Sequence, residues 1–497
     1  FLSSINLLNF LLYIIIENYS VNKSLNISKV TFESYTVGYM DINNSLLNLI
    51  GNTPMLKLSS VDTGVCELFV KLESQNPGGS IKDRIGLSII EQAEESGELK
   101  EGGTIIEATA GNTGIGLALV AALKGYKIIL VIPDKMSREK ILHLEGLGAE
   151  IVLTRSDVSE SHPEYYHHVA RKIANETPGS FLANQFSNPA NPFAHKTTTA
   201  PEIWDQMEGD LDAVVAGVGS GGTITGLAEF FKEKDDSISI VAADPENSIV
   251  ADAVIKGSYS YDGGSWLVEG VGEDFIPDNL NLSLIDDAVT VTDKEAFEVL
   301  QVLLQEEGIL AGSSTGTLVA GAIKWCQKQT EPKKVVTFIC DTGNKYLSKA
   351  FNKSWLHDNN LLDLEKEGNL SDLINRRADK GEMITVSPSN TLLIAYNRMR
   401  STDISQIPVL DGQELLGILD EEDLLLSVAK DQAAFSIPVT EIMTDKLDVL
   451  QVNATDEELL EVLSEGKVAI IYDKDKFIGF ITKVDLINHY RNKLNQN

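Results

Sequence analysis

Residues 75–84 read QNPGGSIKDR, and the apolar run IGLSII follows directly. Two glycines and a serine make a tight turn ahead of a helical run, so Lys82 stands at a helix start. The N-terminal end of a helix carries partial positive charge, which disfavours an ammonium. A lysine placed there is easier to deprotonate, and that suits an amine working as a nucleophile or base.

Two further glycine turns lie along the chain. ATAGNTG (108–114) separates the strand-like TIIE from the helical IGLALV, and GVGSGGTITG (217–226) separates DAVVA from LAEFFKE. Backbone N–H groups at such junctions favour anions, and glycine lets the backbone approach a ligand closely. Thr109, Thr113, Ser220 and Thr223 add hydroxyl donors. Taken singly, each is equally a tight turn of an α/β protein. GVGSGG also has G-x-G-x-x-G spacing through Gly217, Gly219 and Gly222, with Asp244 following 22 residues on (244 − 222). A nicotinamide-dependent oxidoreductase is therefore a rival reading, although it leaves Lys82 and GNTG without a role. No Lys-Ser/Thr pair closes a glycine run, so a Walker phosphate loop is not supported. Two anion cradles with an amine between them fit pyridoxal phosphate carrying an amino acid, which has a phosphate, a carboxylate and an aldehyde-derived centre.

The surroundings agree with an α/β fold. GGTIIEATA, YKIILVIP, GAEIVLT, LDAVVAGV, SISIVAAD and KKVVTFI are strand-like, with near-continuous Val/Ile runs of the kind buried on both faces of parallel sheets. SREKILHLEGLG reads as a helix capped by Ser137. The net charge of −32 argues against a nucleic-acid partner. Cys66, Cys326 and Cys340 are far apart and form no CxxC pair, which points to a reducing, cytoplasmic setting and to core or near-site packing. The histidines show no ligand spacing, and His167 and His168 in YYHHVARK read as a solvated helix face, so no metal is expected.

Residues 1–39 are apolar but broken by Asn and Ser and lack a basic n-region. They are expected to be a leader or a spurious upstream extension, and no membrane span is expected there. A catalytic domain is expected over 40–357 and a polar linker over 358–379. A degenerate repeat follows, with modules at 380–430 and 431–492. ELLGILDEEDLLLS (414–427) resembles FIGFITKVDLINH (477–489), and Gly417/Gly479 and Asp423/Asp485 are each 62 apart.

SLLNLIGNTPML (45–56), QNPGGSIKDR, GNTGIGLALV, NPANPFAHKTTTAPEIW (188–204), GVGSGGTITG and VEGVGEDFIP (268–277) resemble the cystathionine β-synthase and cysteine synthase family. These are fold type II pyridoxal-phosphate enzymes. The likeness covers roughly 40–355, and the repeat resembles the paired regulatory CBS modules that the cystathionine β-synthase branch carries. The resemblance implies two three-layer α/β subdomains, like the tryptophan synthase β chain, followed by a tandem-module domain. It also implies condensation of L-serine with L-homocysteine to cystathionine in cysteine biosynthesis. The near alternative is cysteine synthesis from O-acetylserine and sulfide. A distant one is an energy-sensing scaffold with a dead catalytic domain, against which the intact Lys82 speaks.

By resemblance, Lys82 carries the cofactor. Asn112 meets its ring hydroxyl, Gly219, Ser220, Gly221, Gly222 and Thr223 hold its phosphate, and Ser314 in AGSSTG faces its pyridine nitrogen. Thr109, Gly111, Asn112, Thr113 and Gln185 hold the substrate carboxylate. Three positions depart from the family pattern. Ala110 stands where a serine is usual, Phe186 where animal enzymes have Tyr, and Glu273 where they have Tyr and cysteine synthases a small residue. An acid at the mouth is expected to attract the amino group of homocysteine, which sulfide lacks. The Cys-Pro haem segment of the animal enzymes is absent, so no haem is expected. Thr482 and Asp485 fit a ribose-binding spacing. Asp420 in the first copy would repel a phosphate, so an adenosyl ligand such as S-adenosylmethionine is expected rather than ATP. A purely structural dimerisation role for the modules is the competing view. A homodimer or homotetramer is implied.

Overall fold

The computed structural model describes residues 43–494 except 110, 135, 159–161, 261–263 and 363–366. The expected leader and Ala110 lie outside the described residues. Among the described residues no helix is long and apolar enough to cross a membrane.

Two sheets build the first part of the chain. The smaller has order β5 (Glu150–Thr154), β4 (Lys127–Pro133), β3 (Thr104–Ala108), β6 (Ser180–Leu182), and every neighbouring pair is parallel. The larger has order β1 (Met55–Lys57), β2 (Glu67–Lys71), β10 (Lys334–Phe338), β7 (Ala213–Gly217), β8 (Ser239–Pro245), β9 (Asp287–Val291). Only β1 runs antiparallel to its neighbour. The Val/Ile runs form these central strands because both faces are covered: Val214, Val215, Ile240, Val241, Val335 and Val336 are all buried.

Four helices pack in pairs with the two sheets: α1 (Lys82–Ser96), α2 (Asn112–Lys124), α3 (Gly222–Lys234) and α4 (Ser313–Cys326). α1 and α2 meet through Ile85, Ile89, Leu117 and Val120 in the core of the smaller sheet. α3 and α4 lie in the core of the larger one through Leu227, Phe231, Leu318 and Val319. α2, α3 and α4 follow glycine turns, and the first two of these turns leave the ends of β3 and β7. Ser137 does hold the N-cap position of the helix Arg138–Gly146, but it makes no capping hydrogen bond. Its hydroxyl instead donates to the Lys345 carbonyl at 3.0 Å.

The repeat folds as two small modules. One has β11 (Gln406–Asp411) and β12 (Glu414–Asp420), flanked by α5 (Leu392–Thr402) and α6 (Glu421–Lys430). The other has β13 (Asp448–Gln451), β14 (Ala469–Asp473) and β15 (Lys476–Ile481), with α7 (Asp456–Ser464) and α8 (Lys483–Leu494). Leu415, Ile418, Ile470 and Phe477 form one apolar cluster drawn from both modules. The paired glycines sit where a side chain has no room: a Cβ would lie 2.7 Å from the Thr444 carbonyl at Gly417, and 2.7 Å from Ile374 at Gly479. The expected linker needs correction. Its Leu370, Leu373 and Ile374 are buried in the core of the second module, because the 3₁₀ turn Leu370–Leu373 turns its apolar side chains inward.

Candidate active site

A cavity of about 560 Å³ opens beyond the C-terminal ends of β3, β7 and β10, where ligands bind in open parallel sheets. It collects residues that lie up to 259 positions apart in the chain (Ile81 to Cys340, 340 − 81). Lys82, Thr109, Gly111, Asn112, Thr113 and Gln185 line one part of it. Gly219, Ser220, Gly221, Thr223, Glu273 and Ser314 line another part. Gly222 lies just behind this lining, as the first residue of α3.

Lys82 opens α1, as the spacing predicts. Burial pushes its amine below the ordinary lysine value, while Cys340, Asp341 and Glu273 pull the other way. The rest of QNPGGSIKDR fixes the loop around it. Asp83 is buried and accepts from the Gly78 N–H, and burial raises its pKa to about 6. Arg84 pairs bidentately with Glu73 at 2.8 and 2.9 Å, and with Glu202 at 2.7 Å through each of two nitrogens. Glu202 also accepts from Lys71 at 2.8 Å. Burial would raise the Glu202 pKa, but Arg84 and Lys71 outweigh it and hold it at about 2.

The turn after β3 brings the second group together. The Thr109 hydroxyl accepts from the Gly111 N–H at 3.2 Å, and Thr113 donates to Gln185 Oε1 at 2.5 Å. Behind Gln185 lies Glu107, whose pKa is pushed up to about 8 by burial. α2 begins at Asn112 behind Gly111 with no side-chain cap, so its first N–H groups are open to an anion.

The third turn is built from backbone. Gly221 has φ of +79°, and a Cβ there would lie 2.9 Å from Leu280, so only glycine fits. α3 starts behind it without a side-chain cap. Asn191 donates to Ser220 Oγ at 2.9 Å, and its own Oδ1 is buried without a partner. His195 shares hydrogen bonds with Thr223 Oγ1 at 3.1 Å and Thr199 Oγ1 at 2.9 Å. Burial holds this imidazole far below its usual pKa, hence neutral.

Sequence reasoning missed several residues here. Tyr165, Tyr166 and Lys140 line the cavity. His167 is not on a solvated face: its ring packs edge-on against Phe186, 5.2 Å between centroids, and burial lowers its pKa to about 4. Lys345, Asp341 and Tyr346 surround Asn112. None of these has a local pattern that marks it, because their partners are distant in sequence.

Thr482 and Asp485 lie away from this cavity, in the second module. Asp485 Oδ2 accepts from the Thr482 N–H at 2.7 Å and hydroxyl at 2.6 Å, and Oδ1 accepts from Asn375 at 2.8 Å. Asp420 and Asp423 form the equivalent reciprocal cap at the start of α6. The spacing shared by the two copies is thus a capping box at a helix start. Among the described residues no cluster of His, Cys, Asp and Glu is arranged to hold a metal ion.

The residues fit pyridoxal phosphate. A half-buried amine of lowered pKa shares the cavity with two uncapped helix starts, one of them a backbone cradle that only glycine can form. Such an arrangement suits a fold type II pyridoxal-phosphate enzyme. The family model described as "Pyridoxal-phosphate dependent enzyme" matches residues 46–341, and the CBS domain model matches 371–430 and 439–492. Cystathionine beta-synthase of Dictyostelium discoideum is 36% identical over 462 residues, covering 90% of this chain and 92% of that protein. A hydrogen sulfide-producing enzyme from Fusobacterium nucleatum has a solved structure that is 38% identical, with a TM-score of 0.58, covering 62% of this chain and all of that one. The O-acetylserine dependent cystathionine beta-synthase from Helicobacter pylori is also 38% identical, with a TM-score of 0.57, covering 62% of this chain and 99% of its own. The chain belongs to the cystathionine β-synthase family of pyridoxal-phosphate-dependent enzymes.

Proposed function

We propose that this enzyme condenses L-serine with L-homocysteine to L-cystathionine and water. The observation that carries the reading is the Lys82 amine, half-buried and lowered in pKa, among donors for two anionic groups.

Lys82 holds the cofactor, the Gly219–Thr223 turn and the start of α3 hold its phosphate, Asn112 meets its ring oxygen and Ser314 its ring nitrogen. Bound there, pyridoxal phosphate supplies an electron sink for the substrate Cα. The serine carboxylate takes the start of α2, with Thr109, Gly111, Asn112, Thr113 and Gln185 around it. Lys82, released on substrate binding, takes the Cα proton as general base and later returns it. Its lowered pKa keeps a larger share of the amine neutral for this work. The Cβ–O bond breaks and a Cβ–S bond forms. The thiol proton balances the departing hydroxide as water. A hydroxyl partner at Ser314, rather than a carboxylate, leaves the ring nitrogen unprotonated and favours loss of the β-substituent.

Glu273 sits at the cavity wall and its charge reaches Lys82 and Tyr166. We assign it the ammonium of homocysteine. Three free cysteines, two of them buried, are in keeping with a reducing cytoplasm. We also propose a homo-oligomer, and an adenosyl ligand at the modules. At Asp485 that ligand would donate to Oδ1, which accepts only from Asn375, since Oδ2 already accepts from both the Thr482 N–H and hydroxyl.

Product analysis with matched substrate pairs is the test. Serine with homocysteine is expected to give cystathionine. Cystathionine from O-acetylserine only, or cysteine from O-acetylserine and sulfide with no cystathionine at all, would contradict the assignment.

A further inference from the structure

Lys345 is a buried lysine with no part in the proposed chemistry. It follows β10 in the chain, and its ammonium spends all three protons inside the protein. It donates to the carbonyls of Gly78 at 2.9 Å and Gly79 at 3.2 Å, and to Asn112 Oδ1 at 2.9 Å. The first two acceptors belong to the loop that delivers Lys82, and the third to the start of α2. On the other side of the same amide, Asn112 Nδ2 donates to Asp341 Oδ2 at 2.7 Å. Asp341 is fully buried and also accepts from the Tyr346 hydroxyl at 2.7 Å. An ammonium can only donate and a carboxylate can only accept, so together they leave the Asn112 amide one orientation. One N–H of Nδ2 is spent on Asp341. The Tyr346 hydroxyl also meets this amide, and Asn112 itself lines the cavity.

We propose that Lys345 is a positioning residue for the cofactor. It locks the Lys82 loop to Asn112 and, with Asp341, fixes which end of the Asn112 amide meets the cofactor ring oxygen. This rests on the reading of the cavity as the pyridoxal-phosphate site. A charged hydrogen bond inside the protein is among the stronger kinds, and its loss leaves a buried partner unpaired. Lys345 therefore acts through Asn112 rather than by touching substrate.

The test is a double-mutant cycle on cofactor release from the holoenzyme, read by equilibrium dialysis against pyridoxal 5′-phosphate, with the visible spectrum recorded alongside. Lys345→Met and Asn112→Leu are each expected to raise the cofactor Kd about tenfold. Both are expected to move the visible maximum in the same direction. The double variant is expected to stay within about twofold of Asn112→Leu alone, since the two residues act as one unit. A Kd and spectrum unchanged by Lys345→Met, or losses that multiply in the double variant, would overturn the proposal. Should Lys345→Met fail to fold, Asp341→Asn keeps the side-chain volume and carries the same test. Its expected rise of about threefold should vanish in the Asn112→Leu background, and a rise that persists there overturns the proposal. A parent protein that binds no pyridoxal 5′-phosphate would sink the reading of the site itself, which is a different failure.

Discussion

Helix starts are treated in opposite ways in the two parts of this molecule. In the catalytic part, the four helices that open onto the cavity begin at Ile81, Gly111, Gly221 and Gly312, none of which makes a side-chain cap. In the modules, α6 and α7 begin with complete capping boxes at Asp420 and Thr455, and Thr482 with Asp485 does the same for α8. A helix leaves its first N–H groups without partners, and something must satisfy them. In the modules α6, α7 and α8 do so with their own side chains, while α5 starts behind Thr391 without a side-chain cap. In the catalytic part α2 and α3 leave them open, where we propose the substrate carboxylate and the cofactor phosphate bind, whereas at the start of α1 Ser80 Oγ accepts from the Lys82 N–H at 3.2 Å. Open helix ends cost stability, and other contacts hold those helices. α1 is anchored from its flank by Arg84, Glu73, Glu202 and Lys71.

Substitutions on either side of this contrast should separate function from stability. Lys82→Ala has the largest expected effect. Turnover should fall about a thousandfold or more, with the melting temperature little changed, as steady-state assay and thermal unfolding would show. A drop in stability without loss of turnover would break the contrast. Next is Glu202→Ala, which leaves Arg84 and Lys71 short of a partner and should cost about 3 kcal/mol. Its pH signature follows from the pKa held at about 2 in the folded state. The stabilisation is fully present above the ordinary glutamate value and is lost as pH falls through the folded value. The parent melting temperature should therefore drop between about pH 4.5 and 2, more steeply than in Glu202→Ala.

Gly221→Ala comes third. It forces a left-handed residue and a contact with Leu280 at the phosphate cradle. Stability should fall by about 1–3 kcal/mol, and cofactor Kd should rise as well. A change in stability with unaltered cofactor affinity would place the phosphate elsewhere. The smallest effect is expected for Thr482→Val, which removes a cap worth about 1 kcal/mol. The modules should melt a few degrees earlier, and the serine KM measured without effectors should stay as it was.

The activity of the parent sharpens the same contrast. Because burial lowers the Lys82 pKa, the neutral amine persists to lower pH than a free lysine allows. The acid limb of kcat should lie below the ordinary lysine range, with activity rising as pH rises through it.

Much of the fold was legible along the chain because its signals are local. The strands β3, β4, β5, β7, β8 and β10 follow their Val/Ile runs, and the glycine turns sit where strand gives way to helix. Lys82 announces itself by standing at the wrong end of a helix for its charge. The support of Asn112 was not legible, since Lys345 and Asp341 lie 233 and 229 residues away and neither belongs to a pattern of its own. Leu370, Leu373 and Ile374 were hidden by the polar residues around them, although tertiary packing buries all three. The repeat at 417–423 and 479–485 was visible, but spacing cannot separate a ribose carboxylate from a helix cap. Only the hydrogen bonds of Asp485 show that its oxygens are already engaged.

The central claim is that one amine carries the cofactor, and borohydride reduction followed by peptide mass mapping reads it directly. The cofactor mass should appear on the peptide containing Lys82 and disappear in Lys82→Ala. Label on Lys140 or Lys345, two buried lysines near this site, or no label on any peptide, would contradict it.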